Sequence, residues 1–163
     1  MTVIESIDLV LLYKELEVKH DVTIFDLEKN EDLAKKLIEC NGYDNYQGCS
    51  SCSGKEIYLG FYNDDELKLV SLFHELGHMY FNAKTPCDYS ERHDYRSFPY
   101  ELQCTRIGLD IAYDQGIVFS DHALAWIYSQ AYTYLRNQDD RPLLISDVMQ
   151  KEFTTRKIYG RNR

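Results

Sequence analysis

The feature that most constrains this chain is an HExxH motif, HELGH, at residues 74–78. Apolar residues recur around it at intervals of three and four, which predicts a helix. Histidines four residues apart on a helix project from one face, so His74 and His78 can bind one Zn²⁺ ion at roughly 2.0–2.1 Å. Glu75 points slightly aside, where its carboxylate can take a proton from water that the metal has made acidic. The motif therefore predicts a zinc-binding helix that carries the catalytic base of a hydrolase.

A coincidental motif is the competing interpretation, in which two exposed histidines and a glutamate share an ordinary helix. With 5 histidines among 163 residues, chance alone would produce HExxH with a probability of about 0.01. The surroundings also favour a real helix, because a capping residue among positions 63–65 precedes an acidic first turn. Gly77 is an unfavourable residue inside a helix. We therefore expect it to allow the close approach of a neighbouring element.

A catalytic zinc site usually takes three protein ligands and keeps one position open. A histidine six residues after His78 would supply the third ligand in one common form of the motif, but that position is Lys84. Glu101 is the favoured candidate, because the first turn of a predicted helix holds a ligand rigidly and favours its negative charge. Glu101 could instead be an ordinary acidic residue at a helix start. The other candidates lie between the two helices: Asp88, Glu91, His93 and Asp94.

Length and charge limit the other functions open to this chain. A chain of 163 residues is expected to form a single domain, residues 1–163, with a substantial core. The net charge of −9 disfavours direct binding of nucleic acid by the body of the domain. The basic tail 151–163 is expected to be a frayed, solvated end, unless it contacts an acidic partner or nucleic acid. Nothing in the sequence indicates an oligomeric state.

Three observations concern the cellular compartment. No N-terminal segment has the pattern of a signal peptide, and no apolar run reaches the roughly 18 residues of a membrane span. The 5 cysteines are an odd number, which argues against a disulfide framework. We therefore expect a cytoplasmic protein with reduced thiols and no membrane partner.

The periodicity along the chain predicts an α+β fold, mainly helical with a small β-sheet. Strands are predicted at 18–24 and 56–62, and the second leads into the motif helix. Residues 83–98 read as a long polar loop, of a kind that is usually functional or mobile. Besides the motif helix, five helices are predicted. The first spans 5–17, and the second is capped by Asn30 and ends at Asn41-Gly42. The others run from Ser97 to about Asp114 with a stop at Gly116, from Ser120 to about Arg136, and from Ser146 onward.

Cys49 and Cys52 form a CxxC motif in a glycine-flanked turn. The spacing is typical of half of a tetrahedral zinc site, but no second CxxC supplies the other half. A redox or regulatory disulfide is a second alternative, and two reduced thiols are the simplest interpretation. Cys104, one turn after Glu101, could lie near the catalytic metal or be a small buried apolar residue.

The arrangement resembles the ImmA/IrrE-type zinc metallopeptidases, which are gluzincin-like enzymes. The resemblance covers roughly residues 40–115 and is carried by the EIYLGFY segment at 56–62, by HELGH at 74–78 and by Glu101. It implies a zincin-like catalytic core and a site-specific cytoplasmic endopeptidase. Enzymes of this family typically cleave a DNA-binding repressor, so the implied partner is a protein substrate of that kind.

In the mechanism that follows, zinc is held by His74, His78 and Glu101, while Glu75 moves the proton. Acyl transfer also needs a group that stabilises the oxyanion, and His93 is our first choice for it, ahead of Tyr95 and Arg96 in the same segment. The alternative is that all three are ordinary exposed residues.

Two other functions remain open. One is a non-catalytic, zinc-containing interaction or regulatory protein of a mobile element, although such a protein has no need of Glu75. The other is a zinc hydrolase that acts on an amide other than a peptide, since the chemistry at the metal would be the same.

Overall fold

The computed structural model describes residues 7–41, 50–84 and 97–132. A short 3-10 helix, Leu27–Lys29, follows the first strand. The predicted class, mainly helical with a small sheet, is confirmed. The described residues form these elements in chain order: α1 Leu9–His20, β1 Thr23–Asp26, α2 Glu31–Asn41, β2 Ser51–Ser53, β3 Glu56–Leu59, α3 Asp65–Lys84, α4 Ser97–Asp114 and α5 Asp121–Tyr132.

The three strands form one mixed sheet in the order β1-β3-β2. Strands β1 and β3 run parallel, with Ile24 opposite Ile57, and α2 lies in the connection between them. Strands β2 and β3 are antiparallel, with Cys52 opposite Ile57. Gly54 supplies the positive φ of 60° at their turn, which a residue without a side chain adopts at low cost. Within the described part of the chain, β2 is therefore an edge strand.

The sheet has a core on each face, because successive residues of a strand point to opposite sides. Ile57 and Leu59 of β3 are fully buried in the main core, which also takes residues from α1, α3, α4 and α5. Tyr58 packs against a smaller cluster formed by Leu27 and α2. Helix α3, which carries HELGH, packs against the sheet and against both α4 and α5.

A buried ion network fastens α3 to the end of β1. Lys68 of α3 is only 3% exposed. Its Nζ lies 3.2 Å from Oδ1 of Asp26, and it also contacts the carboxylate of Glu28. A buried ammonium group is costly unless it is paired in this way. The network therefore fixes the approach of α3 to the sheet before the motif begins.

Several predicted helix ends are confirmed. Asp64, Asn30 and Ser120 accept hydrogen bonds from backbone N–H groups in the first turns of α3, α2 and α5, as capping residues do. Gly116, with φ of 78°, follows the end of α4. These boundaries are set by local chemistry, which explains why the sequence reveals them.

The predictions for the first 24 residues were partly wrong. A helix was expected at 5–17 and a strand at 18–24, whereas α1 runs to His20 and β1 begins at Thr23. Val18 is therefore a helical residue, and it is 85% exposed. The helix ends where Asp21 adopts a left-handed conformation with φ of 54°, a change that the alternation of apolar residues did not reveal. Strand β3 likewise ends at Leu59, short of the predicted residue 62.

Most of the predicted loop 83–98 lies outside the described residues, as do the predicted helix from Ser146 and the basic tail 151–163. Helix α3 continues to Lys84 and α4 begins at Ser97, so both ends of that loop are helical. None of the described helices combines the length and the apolar character that crossing a membrane requires.

Candidate metal centre

The two histidines of the motif and Glu101 meet where α3 and α4 pack together. The Nε2 atoms of His74 and His78 are 3.0 Å apart. Oε2 of Glu101 lies 3.2 Å from the first of these atoms and 3.0 Å from the second. Three potential ligand atoms from two helices thus converge, and no other such group occurs within residues 7–41, 50–84 and 97–132.

These three residues can hold a metal ion. Two imidazole nitrogens and one carboxylate oxygen form a ligand set that catalytic zinc sites use, with a fourth position left open. Ligand atoms of a tetrahedral site with bonds of 2.0–2.1 Å would lie about 3.3 Å apart, close to the observed 3.0–3.2 Å. The side chains are 11–13% exposed, so the site is sheltered but within reach of solvent. The same donors also suit other divalent transition metals.

Hydrogen bonds orient the first histidine. Nδ1 of His74 lies 2.8 Å from the hydroxyl oxygen of Thr105. That hydroxyl donates in turn to the backbone carbonyl of Glu101, at 3.0 Å. Metal-binding histidines commonly use their second nitrogen in this way, which fixes the ring and leaves the other nitrogen for the metal.

The second histidine has different neighbours. Nδ1 of His78 lies 3.1 Å from the phenolic oxygen of Tyr100, and the two rings are tilted against each other with centroids 5.1 Å apart. The thiol of Cys104 is also hydrogen-bonded to His78. Cys104 is fully buried, so it is both a small core residue and a neighbour of His78.

The charges of the centre are paired. Burial acts to raise the pKa of Glu101, but hydrogen bonds and positive charge from His74 and His78 outweigh it and lower that pKa from 4.5 to about 2. Burial acts to lower the pKa of His78. Hydrogen bonds with Cys104 and Glu101, together with nearby carboxylate charge, outweigh it and raise the pKa well above 6.5. Glu101 and His78 thus each stabilise the charged form of the other.

Glu75, the predicted base, interacts with His78 of the centre and with Cys52 of the sheet. It is buried, at 7% exposure, and its charge acts on both His78 and Cys52. Cys52, the middle residue of β2, donates a hydrogen bond from its thiol to the Glu75 carboxylate. Burial first, and then the charge of Glu75, raise the pKa of this thiol to about 12. The edge strand therefore borders the residue that would move the proton.

The structure brings together the residues that the sequence singled out as ligands and base. Of the alternatives for the third ligand, none can be placed, because Asp88, Glu91, His93 and Asp94 lie outside the described residues. The same holds for the oxyanion role of His93, which stays a prediction. Cys49 of the CxxC motif also lies outside them, while its partner Cys52 is a free thiol.

Three neighbours of the centre were not predicted from the sequence. Thr105 follows Glu101 by four residues, so the helical period alone could have placed both on one face of α4. Tyr100 directly precedes Glu101 and gave no separate signal. Cys52 stands out in the sequence only as part of CxxC, because its contact with Glu75 depends on how the sheet packs against α3.

Comparison of this chain with models of known protein families, with curated proteins and with solved structures finds no match. The function therefore has to be inferred from the geometry and the chemistry of the site.

Proposed function

We propose that this chain is a zinc-dependent endopeptidase with a zincin-like core, which hydrolyses a peptide bond in a protein substrate. The observation that carries the proposal is the convergence of His74, His78 and Glu101 within 3.0–3.2 Å, with the buried carboxylate of Glu75 beside them. A site that only bound metal would need the three ligands, but it would not need the carboxylate of Glu75.

Each residue of the centre has a distinct task in this proposal. The two histidines and Glu101 hold the ion, and zinc when bound would supply a Lewis acid that polarises a carbonyl group and makes water more acidic. Glu75 takes a proton from the attacking water and passes it to the leaving amine. Its burial favours this role, because a carboxylate shielded from bulk solvent exchanges protons mainly with the reacting groups. His93 remains the proposed stabiliser of the oxyanion.

The position of β2 favours a peptide as the substrate over other amides. An edge strand offers unpaired N–H and C=O groups, with which an extended peptide can pair. In the described part of the chain β2 has β3 on one side only. Its Cys52 contacts Glu75, so a peptide paired with this strand would run past the base.

The compartment and the substrate are also part of the proposal. The free thiols of Cys52 and Cys104 suit the reducing conditions of a cytoplasm. The resemblance of the HELGH and Glu101 arrangement to ImmA/IrrE-type metallopeptidases supports a repressor-like protein as the substrate.

The first test is the metal content of the purified protein, measured by elemental mass spectrometry. We expect about one zinc ion per chain in the wild type and its loss from both His78→Ala and Glu101→Ala. Retention of zinc in Glu101→Ala would move the third ligand into residues 85–96, with His93 as the first candidate. Absence of zinc from the wild type, even after reconstitution, would exclude the metallopeptidase.

The second test separates catalysis from metal binding. The zinc-loaded protein is incubated with a randomised peptide library, and the products are identified by mass spectrometry. We expect cleavage that falls by about 10²–10⁴-fold in Glu75→Gln, while the zinc content of that variant stays at the wild-type level. Zinc binding without any cleavage that depends on Glu75 would instead support the non-catalytic regulatory protein.

A further inference from the structure

We infer that Thr105 is a positioning residue of the metal centre. Its single hydroxyl group orients the His74 ring and anchors the helical turn that carries Glu101. The inference rests on the proposed metal centre, and it concerns how that centre is kept in shape. Thr105 is 1% exposed, so its hydroxyl has to find its partners within the protein.

The direction of each hydrogen bond can be worked out from the number of protons. A hydroxyl group has one proton to donate and can also accept. The hydroxyl of Thr105 donates this proton to the backbone carbonyl of Glu101, at 3.0 Å, because a carbonyl oxygen can only accept. It must therefore accept the N–H of His74 Nδ1, at 2.8 Å. This arrangement leaves Nε2 of His74 as the nitrogen that faces the other two ligands.

The same hydroxyl also couples two elements that are far apart in sequence. Nδ1 belongs to α3, and the carbonyl belongs to Glu101, whose side chain supplies the third ligand from α4. A rotation of the His74 ring would break its hydrogen bond to the Thr105 oxygen. A shift of the first turns of α4 would break the hydrogen bond from the same oxygen to the Glu101 carbonyl. Thr105 thus holds in register the two side chains that have to meet at 3.2 Å.

The second histidine provides an internal comparison. His78 is oriented by the phenol of Tyr100 at 3.1 Å, a group at the end of a longer and more adaptable side chain. Thr105 has a β-branched side chain, which is restricted at its single rotatable bond to the hydroxyl. It also lies in the segment of α4 between two backbone contacts with α3, at Cys104 and Gly108. We therefore expect the hydroxyl of Thr105 to be the less replaceable of the two partners.

The test is the zinc affinity of three variants and the wild type, measured by competition with a chromogenic chelator. Thr105→Val keeps the branched shape but removes the hydroxyl, and we expect about 10–100-fold weaker zinc binding, the usual effect of losing such a partner. Thr105→Ser keeps the hydroxyl and should bind zinc close to the wild-type affinity. Ser71→Ala is the matched control, because it removes a buried hydroxyl from α3 that contacts Tyr62 rather than a ligand.

A second measurement reports on orientation directly. In the zinc-loaded protein, the His74 Nδ1 proton should give a protected imidazole N–H signal by NMR, present in the wild type and in Thr105→Ser and absent from Thr105→Val. If Thr105→Val does not fold, Thr105→Ala takes its place with the same expectation. Equal zinc affinity and an unchanged N–H signal without the hydroxyl would overturn the inference while leaving the metal centre intact. Absence of zinc binding by the wild type would instead overturn the centre and this inference with it.

Discussion

Gly77 of α3 lies directly against the backbone carbonyl of Cys104 in α4: a Cβ atom added to Gly77 would stand 1.9 Å from that oxygen. The contact is reciprocal, since a Cβ atom added to Gly108 would stand 2.1 Å from the carbonyl oxygen of Phe73. Both distances are far below any possible contact, so only hydrogen atoms fit between the helices. The close crossing lets the Glu101 carboxylate reach two histidines on the other helix, and the expected close approach at Gly77 is confirmed.

Gly77→Ala should therefore destabilise the protein, although alanine is the better helix former by about 1 kcal/mol. The added methyl group forces α3 and α4 apart, at a typical cost of 1–3 kcal/mol, here expected at about the upper end or beyond. Separation also draws Glu101 away from the histidines, so zinc affinity should fall by at least about tenfold. Urea denaturation and chelator competition measure the two effects.

Gly54→Ala is the control for this substitution. An added Cβ at Gly54 meets nothing within 4 Å, so the variant should lose only about 1–2 kcal/mol for its left-handed backbone and bind zinc normally. Wild-type zinc affinity in Gly77→Ala would show that the close crossing is not what brings Glu101 to the histidines.

Lys68→Met should cost about 3–5 kcal/mol, because it removes the buried partner of Asp26 and leaves that carboxylate only the longer contact with the exposed Lys29, at 3.7 Å. Asp26 is only 9% exposed at its side chain. The comparison is Lys55→Met, since Lys55 pairs with Asp21 where both side chains are more than 70% exposed, and such a pair is worth less than about 1 kcal/mol. Equal losses in urea denaturation would contradict a structural role for the buried network.

The sequence predicted those parts of the molecule that depend on neighbours along the chain. HELGH needs only a helix to align His74 and His78, and Asp64 needs only the N–H groups of its own first turn. Glu101 was expected in the first turn of its helix, and this position was wrong, because α4 begins at Ser97 and its first turn has no acidic residue. The error at Val18 arose because apolar alternation and helical periodicity overlap in short segments.

The contacts that the sequence did not reveal join elements distant in sequence. Thr105 meets His74 across 31 positions, and Cys52 meets Glu75 only because β2 packs against α3. Such contacts depend on the distance and angle between elements, which the glycines at the helix crossing set. A single sequence gives the residue types along each helix, but it does not show which of them will face each other where two helices cross.

The contact between Cys52 and Glu75 predicts how this thiol reacts. Its pKa of about 12, raised by burial and then by Glu75, keeps it protonated at neutral pH, so alkylation by iodoacetamide should be slow. Glu75→Gln removes the charge, and each unit by which the thiol pKa falls should speed alkylation about tenfold. Peptide mass spectrometry of chelator-treated protein measures the rate at Cys52 alone. Glu56→Gln, which removes an exposed charge from the same sheet, should leave the rate unchanged, and equal rates in all three proteins would argue against the contact.

The paired charges of the centre predict opposite pH dependence with and without metal. In the metal-free protein, the lowered pKa of Glu101 contributes stability above pH 4.5 that is lost as the pH falls toward 2. The raised pKa of His78 contributes stability that is complete below pH 6.5 and is lost as the pH rises through the raised value. The pair should therefore stabilise the metal-free fold most between pH 4.5 and 6.5.

Zinc has to displace the proton from His78 before it can bind, so its effect should run the other way. The rise in melting temperature produced by one equivalent of zinc should increase steadily from about pH 5 to about pH 8, because each step upward weakens the competing proton. Calorimetry in buffers of different ionisation enthalpy should also detect the release of protons on binding. His78→Gln removes a ligand together with the proton that it carries, so it should lose zinc binding and, with it, both the rise in melting temperature and the release of protons. A zinc-induced rise that is the same at every pH would mean that the metal binds without displacing this proton, and so does not bind at His78.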